Sequence, residues 1–216
     1  DSNILRITST FDIGVSGTFT QDSGLLIFQD ILPTISGTFN PGTGKTFYDI
    51  SAGGYAVDDV SEYYNLKLKT GSSDVTIPQK IICNDLELIG SGQVVLKNTI
   101  GSDSIFINGN LIIGLNSVLN IYDIPNTYGA KLVVKGDITN KGDFESRLSG
   151  GTDGGTVIFS GSRSQTLSGN RIIFWDMILD KSDSNLAIND TMIVSNNLNL
   201  IAGNIMNDTI PLICDT

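Results

Sequence analysis

The chain has 216 residues, 40% of them hydrophobic, which is enough for a sizeable core and excludes wholesale disorder. Only 17% are charged, yet 23 Asp and Glu against 13 Lys and Arg leave a net charge of −10. Such a chain repels phosphate backbones and anionic lipid surfaces, arguing against nucleic-acid partners, and it has no apolar run long enough to span a bilayer, so no membrane insertion is expected.

The chain opens on short strands. Val15-Ser16-Gly17-Thr18-Phe19-Thr20 recurs as Ile35-Ser36-Gly37-Thr38-Phe39-Asn40, and the spacing between the two copies suits one coil of a β-solenoid. Phe39 to Thr46 comes close to a phosphate-binding P-loop, but Phe39 replaces its first glycine and Phe47-Tyr48-Asp49-Ile50 does not begin a helix. Residues 48–63 read as a loop insertion carrying Tyr48, Tyr55, Asp58, Asp59 and Tyr63. Asp58 and Asp59, with Asp49 and Glu62 nearby, are candidate Ca2+ ligands, set against the simpler reading of a solvated loop. Tyr48 and Tyr55 are candidate ligand-binding residues, because exposed rings stack on sugars. Tyr64 is expected in the core.

From there the strand signal is a period of two, with turn formers between strings. Leu66-Lys67-Leu68, Val75-Thr76-Ile77, Leu86-Glu87-Leu88, Ile105-Phe106-Ile107 and Leu119-Asn120-Ile121 set their outer residues on one side, and Leu66, Leu68, Val75, Ile77, Leu86 and Leu88 are the expected core. Other strings, such as Leu132-Val133-Val134 and Ile172-Ile173-Phe174-Trp175, are apolar throughout. No stretch keeps a helical stripe for three turns. Gly150 to Ile158 is similar to one copy of a calcium-binding glycine-rich nonapeptide, which makes Asp153 a further candidate ligand against the simpler reading of a glycine-rich turn. Cys83 and Cys214 both sit in apolar strings and are expected as buried free thiols, with a pair between them as the alternative.

A longer echo aligns Tyr64–Cys83 with Trp175–Val194 without a gap, and Phe39–Phe47 with Phe159–Leu167. The copies run over about 39–94 and 159–205. The segment Phe159-Ser160-Gly161-Ser162-Arg163-Ser164-Gln165-Thr166-Leu167-Ser168-Gly169, followed by Phe174-Trp175-Asp176-Met177-Ile178-Leu179 and Leu186 to Ile205, resembles a repeat unit of very large secreted and cell-surface proteins of Bacteroidota, adhesin-like chains exported by the type 9 secretion system. That resemblance implies an extracellular or cell-surface location. It also implies partners that are other surface or secretion-system proteins, or extracellular glycans. It further implies a longer parent chain, whose sorting domain would lie beyond Thr216 or have been removed.

The absence of His removes the usual triads, most transition-metal sites and the commonest acid-base residue. Carboxylates can hydrolyse glycosides without it, and β-helices host polysaccharide lyases that use Ca2+ and a basic residue; Asp58, Asp59 and Lys45 or Lys67 are the set such chemistry would need. The expected architecture is therefore all-β: residues 1–216 form one right-handed parallel β-solenoid (β-helix) of stacked repeats, with a β-sandwich array as the alternative. Each coil is expected to take roughly 20–25 residues. The expected function is a non-catalytic structural or adhesive segment without a cofactor. A carbohydrate-binding or polysaccharide-cleaving module, with Ca2+, is the alternative.

Overall fold

The computed structural model describes residues 3–51, 54–57, 62–71, 74–77, 80–98, 104–123, 130–147, 154–207 and 212–214. Most of its strands are short, and they pair in parallel and stack coil upon coil as a β-solenoid; among the described residues there is no helix. From Lys45 onward each coil supplies strands to three ladders, here called the first, second and third faces in chain order; the two coils before it join the first face, and their other strands form two separate pairs, Asp12–Ile13 with Thr34–Ile35 and Thr18–Thr20 with Thr38–Asn40.

The first face shows how the sequence builds the stack. Leu5, Leu26, Thr46, Leu66, Leu86, Leu111, Ile138, Leu167 and Ile188 lie in one register column, each beside the next. On the second face the column runs Tyr55, Val75, Val94, Leu119, Phe144, Ile172 and Met192. On the third it runs Ile81, Ile105, Leu132, Val157, Met177 and Leu198. No coil can bury its own inward side chains, so each depends on the coils above and below. The expected core positions Leu66, Leu68, Val75, Ile77, Leu86 and Leu88 are all buried in this interior. Burying each such side chain is worth about 1.5–3 kcal/mol.

The short echo is a real stack. Thr18, Phe19 and Thr20 pair with Thr38, Phe39 and Asn40, and the Phe19 and Phe39 rings stack 5.9 Å apart. The longer echo keeps its inward phase but turns by one face. Leu66 and Leu68 belong to the first face, whereas Met177 and Leu179 belong to the third; Val75 and Ile77 belong to the second, whereas Leu186 and Ile188 belong to the first. The upstream match is out of phase: Thr46 faces the core, while Thr166 faces out and Leu167 takes the inward position. A slip of one residue exchanges the two sides of a strand.

The expected insertion at 48–63 is corrected. Lys45–Asp49, Tyr55–Ala56 and Tyr63–Thr70 are strands, and the step from Lys45 to its ladder neighbour Asn65 is the same length as the step from Leu25 to Lys45. Longer coils occur in the middle instead. Successive corner residues entering the first face there, Asp85, Asn110, Asp137 and Thr166, stand 25, 27 and 29 residues apart, the last two steps beyond the expected range. Glycine is required where corners stack closely. Gly90 and Gly169 have φ of +108° and +107°, and a Cβ there would collide with the carbonyl oxygens of Thr70 and Asn140.

Candidate functional site

On the first face, alternation in Lys45–Asp49 turns Thr46 and Tyr48 inward and Lys45, Phe47 and Asp49 outward. The same alternation in Tyr63–Thr70 turns Leu66 and Leu68 inward and Lys67 and Lys69 outward. Stacking then sets Phe47, Lys67 and Glu87 side by side on three successive coils. Glu87 receives Lys67 Nζ at 2.8 Å and Lys45 Nζ at 3.2 Å, one on each oxygen, while Lys67 Nζ also lies 5.3 Å from the centre of the Phe47 ring. Burial pushes the Glu87 carboxyl up, but hydrogen bonds and charge from the two lysines outweigh it and hold the group below the ordinary glutamate range. A second pair joins Lys69 to Asp49 at 2.7 Å. Lys45 and Lys67, the amines that a lyase reading would need, are thus both engaged by Glu87.

Asp58, Asp59 and Asp153 lie outside the described residues. Among the described residues no group of three or more His, Cys, Asp or Glu is placed to hold a metal ion.

The outward reading of Tyr48 and Tyr55 is corrected. Tyr48 is fully buried and Tyr55 nearly so, because both occupy inward strand positions. Their rings stack 6.0 Å apart, Tyr48 Oη lies 2.8 Å from Tyr63 Oη, and Tyr55 Oη donates to the Lys69 carbonyl. Burial, then the Asp49 charge, pushes the Tyr55 phenol up. Tyr63 takes the core position expected of Tyr64, which is 37% exposed. These rings fill the interior and are not presented for stacking on a sugar.

Cys83 is a buried free thiol on the third face, pushed up by burial and then by the charges of Asp85 and Glu62, an environment that suppresses reactivity. The side chain of Cys214 lies outside the described residues.

Two polar devices escaped the sequence reading. At the corner entering the first face, Asp85 Oδ1 accepts the Asn110 N–H, Asn110 Oδ1 accepts the Asp137 N–H, and Asp137 Oδ1 accepts the Thr166 N–H, at 2.7, 2.9 and 2.7 Å. Each side chain satisfies a backbone donor one coil on. Further along, the ammonium of Lys181 is buried and donates to Gln165 Oε1 at 2.6 Å, to the Arg163 carbonyl at 2.7 Å and to the Ser160 carbonyl at 3.5 Å. Gln165 in turn donates to the carbonyls of Val134 and Gly136, so the cluster ties three successive coils. Burial, then Arg163, lowers the Lys181 pKa, and Asp137 opposes them. A cavity of about 320 Å³ opens at the first coil between Ile4, Leu5, Phe19 and Leu26, where the core meets solvent. No family model matches the chain, and comparison with curated proteins and with solved structures finds no match.

Proposed function

We propose that the chain is a non-catalytic structural and adhesive segment of a large secreted or cell-surface protein. The observation that carries this reading is the unbroken first-face column from Leu5 to Ile188. Its eight steps at a strand spacing of about 4.8 Å make a rod about 38 Å long. Such a rod sets a distance and offers long flat faces, the properties of a spacer or an adhesive surface. The engagement of Lys45 and Lys67 by Glu87 and the burial of Tyr48 and Tyr55 also favour it over a glycan-cleaving module. The partners that fit are other surface or secretion-system proteins, or extracellular glycans held at an outward face.

An immunoblot of fractionated source cells, with antibody raised to this segment, tests the proposal. The expected species is surface-bound and far larger than the 23.1 kDa of this chain. A soluble species near that mass would overturn it and favour a self-contained glycan-active module.

A further inference from the structure

No further inference is drawn: the strongest candidate, the half-buried outward column of Ile82, Phe106, Val133, Ile158 and Ile178 on the third face, is an apolar sheet face and nothing in the structure shows what covers it.

Discussion

From Lys67 to Glu87 one turn of the solenoid takes 20 residues, and from Asp137 to Thr166 it takes 29, though both steps climb the same first face by one coil. Most of the surplus of the middle coils falls between the second and third faces. Strand Val118–Asp123 is separated from Lys131–Val134 by residues 124–130, whereas in the later coil both faces are served by the single long strand Ile172–Ile188. Coil length is thus free at a corner and fixed on the faces, where inward side chains must meet those of the next coil. The interiors differ as well. Between their first-face strands the first coils have only a separate pair of two-residue strands, Asp12–Ile13 and Thr34–Ile35, against six residues in the second-face strand Gln93–Asn98. Fewer inward positions leave volume to fill, and Phe11, Phe19, Phe28, Phe39, Tyr48, Tyr55 and Tyr63 fill it as one chain of ring contacts. The middle coils are filled mainly with Ile, Leu and Val.

The largest difference is expected when the same first-face column is truncated in both regions. Leu111→Ala, in the middle, should cost about 2–5 kcal/mol, since the coils on either side hold the cavity open. Leu5→Ala, in a first-coil residue that is 45% exposed, should cost less than about 1 kcal/mol. Chemical denaturation reads both, and equal losses would show that the middle coils are no better packed than the first.

Next in size is the cluster that returns the chain from the long coils to the short. Lys181→Met removes the donor shared by Gln165, Arg163 and Ser160 and should cost about 1–3 kcal/mol at neutral pH. The folded ammonium holds its proton less tightly than an unfolded lysine, so the wild type should gain stability as pH rises from the lowered folded value towards the ordinary lysine value. That gain should be missing from Lys181→Met, and alkaline unfolding curves that superimpose in shape would contradict it.

Much of this architecture was legible because period two is a strong constraint. Leu66, Leu68, Val75 and Ile77 had to share a side, and Phe19 and Phe39 had to stack once the short echo set the length of a coil. The faces were not legible. All three use the same strand-and-turn vocabulary, so the longer echo matched the phase of Leu66 with Met177 while leaving them on different sides of the rod. Tyr48 and Tyr55 misled because they have no counterpart in the other copy, which suggested an insertion; their coil is of ordinary length and its rings are core. Lys181 and the Asp85, Asn110 and Asp137 corner carry no local signal at all. Their partners lie 16 to 29 residues away in sequence and come close only through stacking.

The corner ladder belongs to the longer coils and should respond in proportion to its single hydrogen bonds. Asp137→Ala leaves the Thr166 N–H without its carboxylate and should cost about 1 kcal/mol, while Asp137→Asn, which keeps an acceptor oxygen, should retain most of the stability. Equal losses for the two variants, in matched urea titrations, would mean that the interaction is charge and not a backbone cap.

The smallest effect is expected at the short coils, where Lys45 and Lys67 clasp Glu87 at a surface that remains about a quarter exposed at the carboxylate. Solvent screening limits such pairs, so Glu87→Gln should cost a few tenths to about 1 kcal/mol at neutral pH and less at high salt. The folded carboxyl is held below its unfolded value, so its contribution is complete above the unfolded glutamate pKa and is lost as pH falls through the lowered folded value. Wild type and Glu87→Gln should therefore differ near neutrality and converge in acid. A gap that persists after the carboxylate has been protonated would assign the loss to packing against Lys67 instead of to charge.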